Sequence, residues 1–281
     1  MNGIRSETLR GPAGSLAIRR MDAEGKRRGT LLFVHGAWSS TWYWEPHFMP
    51  FFAASGFDVV ALDLRGHGRS DGKIRWATID GYVADAAAVA ATLEDPVVVG
   101  HSMGGLVAQH LAARRPVAGL ALLASVPPWG AWSALWRVVR EDPAKLLACT
   151  LAFDLKPIVA DAGLARRILY SRSPADKDMD AFLRHLGSES YLAFLGMLFR
   201  HPPRLPAGLP RLVLGAERDR LFPEKTVRAT ARRLGVEPQI VAEASHMLTV
   251  EHRWQDAADA LLHWLEREVP AARPGSSAGH R

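Results

Sequence analysis

The amino-acid sequence predicts an α/β protein built on a mostly parallel, doubly wound sheet with an inserted helical cap. Short apolar segments rich in β-branched residues show little polar alternation, which is typical of strands buried on both faces of a parallel sheet. Helical patterns separate these segments, and such an alternation implies right-handed crossovers. Between residues 127 and 205 the alternation stops and only helical patterns remain, which indicates an insertion.

The core elements follow one another in a regular order. The segments expected to form strands are residues 30–35, 57–63, 96–100, 118–124, 211–215 and 238–242. The stretches expected to form helices are residues 78–94, 103–115, 223–234 and 251–268. These elements predict that residues 1–126 and 206–269 together form the core domain.

Prolines bracket the purely helical stretch. One pair begins at Pro127 and another at Pro202, so we expect residues 127–205 to form a helical cap over the end of the sheet. Residues 270–281 are rich in Pro, Gly, Ser and Ala, a composition typical of a flexible C-terminal tail.

Composition excludes several classes of protein. The chain has 281 residues, 48% of them hydrophobic and 23% charged, which is enough apolar surface for a large core and excludes disorder as the main state. The single cysteine, Cys149, cannot form an intramolecular disulfide, and no Cys/His cluster has the spacing of a zinc site. The net charge of +6 is scattered in arginine pairs, so no nucleic-acid partner is predicted.

The same sequence shows no targeting or membrane signal. Residues 1–20 lack the apolar run of a secretory signal, and every apolar stretch is too short to span a bilayer. We therefore expect a cytoplasmic protein without an integral membrane segment, and the oligomeric state stays open.

One short motif indicates chemistry. Gly100-x-Ser102-x-Gly104 lies at the junction of a predicted strand and a predicted helix. Such a turn strains the backbone of its apex residue, and glycines flank it because Cβ atoms there would collide with neighbouring elements. The serine is then held at the carboxyl end of the sheet, and the backbone N–H of Met103 points into the site from the helix N-terminus.

With this motif the chain resembles the α/β-hydrolase superfamily, from about Gly11 to Val269. The segment that starts at His35 (HGAWSSTW) is similar to the family's oxyanion-hole loop. The segment from Asp63 to Ser70 (DLRGHGRS) is similar to the D-x-R-G-x-G-x-S segment after the next strand. The resemblance implies the α/β-hydrolase fold and a catalytic triad in the chain order Ser, acid, His.

A serine nucleophile needs an adjacent base. His246 lies after the last predicted strand and before the final helix, where loops at the carboxyl edge of a sheet converge. His252, at the start of that helix, is the alternative base, whereas His110 falls inside the helix after the motif. We expect His246 to activate Ser102.

The acid follows the strand predicted at residues 211–215. Asp219 with Pro223 matches the D-x-x-x-P part of the family's G-x-x-D-x-x-x-P pattern, and Glu217 is the alternative two residues nearer the strand. The resemblance therefore implies that Asp219 orients the base and stabilises its charged form.

The resemblance also implies an oxyanion hole made by the backbone N–H groups of Ala37 and Met103. We expect His35 to brace this loop rather than to transfer protons. Four polar residues of the next loop are expected to form a turn network: Asp63, Arg65, His67 and Asp71.

Aromatic residues are expected to line an apolar substrate pocket, because ligand sites in such folds are concave and mostly hydrophobic. Most aromatics of the cap, including Phe182 and Tyr191, are expected only to hold it to the body. The predicted pocket residues are Trp38, Trp42, His101, Trp129, Trp132 and Met247.

These residues predict a serine hydrolase that cleaves a small to medium lipophilic carboxylic ester through an acyl-enzyme, with water and without a cofactor or metal. The same triad leaves thioesterase, lactonase, amidase, carbon–carbon hydrolase and cofactor-free perhydrolase activities open. A non-catalytic ligand receptor is the alternative from another class. Dehalogenases and epoxide hydrolases of similar fold carry Asp in place of Ser102, and related hydroxynitrile lyases carry Lys in place of Met247, which disfavours both activities.

Overall fold

The structure, a computed structural model, describes residues 3–170 and 182–269. Its strands are β1 (Arg5–Gly11), β2 (Gly14–Met21), β3 (Gly29–Val34), β4 (Phe57–Leu62), β5 (Val97–His101), β6 (Gly119–Leu123), β7 (Arg211–Ala216) and β8 (Pro238–Val241). They form one sheet in the order β1-β2-β4-β3-β5-β6-β7-β8. Every pairing from β4 to β8 along this order is parallel, whereas β2 pairs antiparallel with β1 and with β4. The predicted mostly parallel sheet is confirmed.

Helices cover both faces of the sheet. They are α1 (Phe48–Ala54), α2 (Ile79–Ala90), α3 (Met103–Arg114), α4 (Trp132–Glu141), α5 (Pro143–Ala152), α6 (Lys156–Ala160), α7 (Ala162–Leu169), α8 (Tyr191–Phe199), α9 (Glu224–Leu234) and α10 (Trp254–Glu268). Helix α1 packs with α10, and α2 packs with α3, so each pair shields a different face of strands that are almost entirely buried. None of the helices in the described ranges combines the length and the apolar character needed to cross a bilayer.

The sequence analysis missed the N-terminal hairpin and helix α1. Strand β1 is largely exposed, and β2 buries only alternate residues such as Leu16 and Ile18. An edge hairpin needs only this weak alternation, so it lacks the continuous apolar pattern of the buried parallel strands. Gly11 pairs with Gly14 across a two-residue turn. These two glycines were the local sequence signal that could have indicated the hairpin.

The segment between β6 and β7 carries helices α4 to α8 within the described residues. This is the region predicted as a cap, and its boundaries at residues 127 and 205 stay a prediction of domain organisation. The predicted flexible tail, residues 270–281, lies outside the described residues.

A buried ion pair joins this inserted segment to the body. Glu189, just before α8, accepts a hydrogen bond from Tyr82 of α2 at 2.7 Å and lies 3.1 Å from Nε2 of His67. The backbone N–H of Ser190 also donates to the Glu189 carboxylate, at 2.7 Å. Because both charged side chains are buried, the pair ties the insertion to the loop after β4.

Burial disfavours the charged forms of both partners, but their mutual attraction outweighs it. The pKa of His67 is raised above 6.5, and the pKa of Glu189 is lowered below 4.5. The stability from Glu189 is complete above pH 4.5 and is lost as the pH falls through its folded-state pKa. The stability from His67 is complete below pH 6.5 and is lost as the pH rises through its folded-state pKa. The pair therefore stabilises the fold most between these two values.

We expect Glu189→Gln to lower the free energy of unfolding by about 3 kcal/mol near pH 6, because it leaves a buried imidazole without its counter-charge. The difference from the wild type should shrink at about pH 9, because the stability from His67 is lost as the pH rises through its raised pKa. Urea unfolding at both pH values measures this, with Asp80→Asn at an exposed ion pair as the control that costs under about 1 kcal/mol. Equal differences at both pH values would contradict the interpretation.

Candidate active site

The strand order places the site at a topological switch point. From the central strand β3 the chain moves to β4 on one side, and then to β5 on the other. Loops leaving the carboxyl ends of β3 and β5 therefore diverge and open a crevice, which is where ligands bind in open α/β sheets. Ala37 follows β3, Ser102 follows β5, Asp219 follows β7, and His246 follows β8.

Ser102 occupies a strained turn between β5 and α3. Its backbone angles are φ 53° and ψ −117°, a region that side chains rarely adopt. A Cβ on Gly100 would lie 2.3 Å from the carbonyl oxygen of Gly104, and one on Gly104 would lie 2.2 Å from that of Val34. Only glycine fits at these two positions, so the sequence motif is explained by close backbone packing around the strained residue Ser102.

The structure brings Ser102, His246 and Asp219 together. Nε2 of His246 lies 3.0 Å from Oγ of Ser102, and Nδ1 of His246 lies 2.8 Å from Oδ2 of Asp219. All three side chains are buried, and the ring of Phe222 packs edge-on against the imidazole with centroids 5.5 Å apart. These distances match the geometry in which a base activates a serine and an acid orients the base.

Backbone amides hold the carboxylate of Asp219. Its Oδ1 accepts hydrogen bonds from the N–H groups of Leu221 at 2.8 Å and Phe222 at 2.9 Å, which leaves Oδ2 for the imidazole. Glu217 is exposed, and its carboxylate accepts from the N–H of Glu243 at 2.7 Å. The structure therefore places Asp219, and not the alternative Glu217, against His246.

The alternative histidines lie elsewhere. Of the described histidines, His246 is the one whose ring reaches Ser102. His252 is exposed at the turn before α10. His110 lies inside α3, where burial lowers its pKa to about 4.

Two contacts that the sequence analysis missed hold the His246 loop. Nε2–H of His101 donates to the backbone oxygen of His246 at 2.9 Å, and its ring stacks on Tyr43 with centroids 4.4 Å apart. On the other side, the Glu251 carboxylate accepts from both the backbone N–H and the hydroxyl of Ser245. Burial lowers the pKa of His101 well below 6.5, so its ring is neutral. The structure thus places His101, predicted as a pocket residue, behind the candidate base.

The two supports differ in how far apart their partners lie in the sequence. His101 lies next to the candidate nucleophile, and only tertiary packing brings it near the backbone oxygen of His246. Glu251 lies five residues after the candidate base, and its contact with Ser245 spans only six residues. The one available signal was the set of polar residues concentrated around His246 in the segment ASHMLTVEH.

The loop after β3 lies directly against the nucleophile. A Cβ on Gly36 would lie 3.0 Å from Cβ of Ser102. The backbone N–H groups of Ala37 and Met103, which flank this contact, have no hydrogen-bond acceptor among the described residues. Two free amides beside a serine hydroxyl are the donors that an oxyanion hole requires.

His35 braces this loop, as expected from the sequence. Its Nδ1–H donates to the carbonyl oxygen of Gly36 at 2.8 Å, and its Nε2 accepts from the N–H of Leu64 at 3.1 Å. Burial lowers the pKa of His35 to about 4, so the ring stays neutral and cannot act as a proton carrier near pH 7.

The next loop forms the expected polar network. The Asp63 carboxylate accepts from the N–H groups of Thr41 at 2.7 Å and Arg69 at 2.9 Å. Arg65 forms an ion pair with Asp85 at 2.7 Å. These contacts fix the loop after β4 beside the oxyanion-hole loop.

The predicted pocket residues differ in exposure. Trp38 donates from Nε1 to the carbonyl oxygen of Leu155 at 3.2 Å, and Trp42 stacks on His185 with centroids 5.2 Å apart. Met247 is buried, while Trp129 and Trp132 are exposed. Their shared role as pocket walls stays a prediction.

Within the described ranges, no group of three or more His, Cys, Asp or Glu side chains could hold a metal ion. Cys149 is free and buried, and burial raises the pKa of its thiol to about 11. A thiolate is therefore not formed at Cys149 near pH 7, and the nucleophile that the geometry offers is Ser102.

Comparison with known proteins agrees with this fold. A family model described as "Alpha/beta hydrolase family" matches residues 31–260. The chain belongs to the α/β-hydrolase family. The names of its relatives support the assignment of this chain as a hydrolase.

Two curated relatives span most of this chain. The pimeloyl-[acyl-carrier protein] methyl ester esterase of Chromobacterium violaceum is 31% identical over 237 residues, which cover 77% of this chain and 87% of the esterase. The dihydrolipoyllysine-residue acetyltransferase component of the acetoin cleaving system of Cupriavidus necator is 31% identical over 245 residues, or 83% of this chain. The chain spans only 62% of the length of that second relative.

A solved structure shows the same fold at lower identity. A thermophilic esterase from Thermogutta terrifontis, with malate bound, matches with a TM-score of 0.71 and 21% identity. The match covers 94% of this chain and 99% of the esterase. At this identity the likeness extends to the fold alone.

Proposed function

We propose that this hydrolase cleaves small to medium lipophilic carboxylic esters through an acyl-enzyme on Ser102. The observation that carries the proposal is the continuous contact from Ser102 through His246 to Asp219 beside two free backbone amides. A binding protein has no need of a strained nucleophile aligned with a base and an acid, because such strain destabilises the fold. The reaction class follows from the geometry of these groups rather than from the fold alone.

The hydrogen bonds assign the tautomer of His246. Oδ2 of Asp219 accepts a hydrogen bond from Nδ1–H of His246, so Nε2 carries the lone pair that accepts the Ser102 hydroxyl proton. As the hydroxyl oxygen attacks the ester carbonyl, the proton moves to Nε2. The resulting imidazolium is stabilised by the adjacent carboxylate.

The remaining steps use the two amides and water. The carbonyl oxygen of the ester becomes an oxyanion, and the N–H groups of Ala37 and Met103 donate to it, each worth about 3–4 kcal/mol of barrier. His246 then returns its proton to the leaving alcohol, and the acyl group stays on Ser102. A water molecule, deprotonated by His246, attacks the acyl-enzyme; the acid is released as the bond to Oγ of Ser102 breaks, and His246 returns the proton to that oxygen.

The apolar surroundings favour a lipophilic substrate. Trp38, Trp42 and Met247 lie in or beside the loops that carry the site, and no metal ligand cluster is present in the described ranges. The esterase relative from C. violaceum acts on a methyl ester, which is consistent with carboxylic ester chemistry here.

A fluorophosphonate probe together with p-nitrophenyl esters of increasing acyl length tests the proposal. We expect the wild type to be labelled and to turn over these esters with an optimum chain length, and Ser102→Ala to do neither. Thioester and lactone substrates in the same assay distinguish the activities that share the triad. A folded wild type that is neither labelled nor active would favour the non-catalytic receptor instead.

Replacing the acid tests the assignment of Asp219. We expect Asp219→Asn to fold normally and to lower kcat by about 10⁴-fold, because the amide no longer holds the Nδ1–H tautomer. Glu217→Gln is the matched control and should change kcat by less than about twofold, since Glu217 contacts Glu243 instead of the imidazole. Steady-state kinetics on the preferred p-nitrophenyl ester measures both, and a severe loss only in the Glu217 variant would reverse the assignment.

A further inference from the structure

Helix α4 exposes aromatic side chains on its outer face. Trp132, Trp136 and Arg140 follow one another at four-residue spacing, so they share one stripe of the helix. Trp136 is 63% exposed and Trp132 is 44% exposed. Tryptophan is highly buried on average, so two exposed indoles in one stripe indicate a surface that something else covers.

Neighbouring elements extend this surface. Phe199, at the end of α8, is 63% exposed, and its ring centroid lies 5.4 Å from that of Trp132. Trp129, just before α4, is 42% exposed. The backbone N–H of Ala131 donates to the carbonyl oxygen of Met197 at 2.9 Å, which fixes the start of α4 against α8. We call Trp129, Trp132, Trp136 and Phe199 the aromatic patch.

The charge beside the aromatic patch is positive. Arg137 and Arg167 both pair with Glu141, at 2.7 Å and 2.9 Å, so this one acidic group is already neutralised. Arg140 is exposed and has no ion-pair partner within the described part of the chain. A guanidinium at the end of an indole stripe, on a chain of net charge +6, complements an anionic surface.

The aromatic patch lies next to the candidate active site. The N–H of Val126 donates to the carbonyl oxygen of Ser102 at 3.2 Å, only three residues before Trp129. The Ser133 hydroxyl, in the first turn of α4, donates to the carbonyl oxygen of Leu221 at 2.7 Å. Leu221 belongs to the loop that holds Asp219, so α4 contacts that loop directly.

We infer that the aromatic patch docks this protein on an anionic lipid surface, from which ester substrates reach the site. Trp and Phe with Arg on an amphipathic helix are the composition that partitions into the headgroup region of a bilayer. The docking needs no spanning helix, because only side chains enter the interface. The link to substrate delivery rests on the proposed function, whereas lipid binding itself does not need the Ser102 hydroxyl.

Vesicle sedimentation tests the inference directly. The two preparations are phosphatidylcholine vesicles and phosphatidylcholine vesicles with about 30% phosphatidylglycerol. We expect the wild type to bind the anionic vesicles at least about tenfold more tightly than the neutral ones. Trp136→Ser/Phe199→Ser, which leaves the predicted pocket residue Trp132 in place, should lose at least about tenfold of that affinity. Arg140→Glu should weaken binding to the anionic vesicles about fivefold or more and leave binding to neutral ones unchanged.

Trp76→Ser is the matched control, because Trp76 is 62% exposed but lies away from the patch. Its ring packs on Phe153, which contacts Tyr191 at the start of α8, whereas the patch adjoins the end of that helix. This variant should bind vesicles like the wild type. All variants should keep their thermal midpoint and their turnover of a water-soluble short-chain ester.

Three results would overturn the inference. They are no binding of the wild type to either vesicle, equal binding by the patch variant, or a wild-type dimer that the patch variant dissociates. The dimer result would assign the patch to a second copy of this chain. Ser102→Ala separates this inference from the proposed function: if it and the wild type bind vesicles but neither hydrolyses esters, docking stands and the proposed reaction fails.

Discussion

His246→Ala is expected to lower kcat/KM for a p-nitrophenyl ester by about 10⁴- to 10⁶-fold. The reason is that, in the proposed mechanism, Nε2 of His246, 3.0 Å from the Ser102 hydroxyl, accepts the hydroxyl proton as the oxygen attacks. Without it, Ser102 stays a neutral and weakly nucleophilic hydroxyl at pH 7. Reaction with a fluorophosphonate should fall together with turnover, because both start with the same attack.

His252→Ala is the matched control for this variant. It removes an exposed imidazole from a position six residues away and should leave kcat/KM within about twofold of the wild type. Thermal unfolding of both variants shows whether any loss comes from misfolding. An inactive His252 variant beside an active His246 variant would end the assignment of the base.

Much of the fold and of the site follows from local signals. The parallel strands bury both faces, so β3, β5 and β6 appear in the sequence as continuous apolar segments. The position of Ser102 is marked by the glycines of its own motif, which is a signal within five residues. The atoms that leave Gly104 no room for a Cβ belong to Val34 and His35, so the motif is local although its steric cause is not.

The parts that were not predicted depend on distant partners. Glu189 forms its ion pair with His67, 122 residues away, and His101 supports the loop of His246 across 145 residues. A carboxylate in a polar sequence segment looks the same whether it is solvated or buried against a partner. The choice between Asp219 and Glu217 likewise rests on the two backbone amides that hold Asp219, and these are visible only in three dimensions.

Buried neutral imidazoles shape the electrostatics of the site. Burial lowers the pKa of His35 to about 4 and the pKa of His101 well below 6.5. The ring of His101 lies 4.8 Å from that of His246, so a positive charge on it would oppose the imidazolium that the proposed mechanism forms on His246. Because His35 and His101 stay neutral, that proposed charge would face Asp219 without opposition from them.

Gly104→Ala is expected to cause the largest loss of stability among single methyl additions in this region. The new Cβ would lie 2.2 Å from the carbonyl oxygen of Val34 and 2.5 Å from that of His35. Both are backbone atoms at the end of a central strand, so neither can move without displacing the oxyanion-hole loop. We expect the free energy of unfolding to fall by at least about 3 kcal/mol, with a loss of activity beyond the loss of folded protein.

Gly163→Ala is the control that isolates this steric effect, because Gly163 also occupies the second position of a helix, α7. A Cβ there would meet only side-chain atoms of Asp161 at 3.3 Å and Arg167 at 3.4 Å, and both side chains can shift. Alanine at this position should be neutral or stabilising by up to about 1 kcal/mol, since it lowers the entropy of the unfolded chain. Thermal unfolding and soluble yield measure both variants, and a Gly104 variant as stable as the Gly163 variant would show that the turn around Ser102 tolerates a side chain there. The strained backbone of Ser102 would then not depend on close packing of α3 against β3.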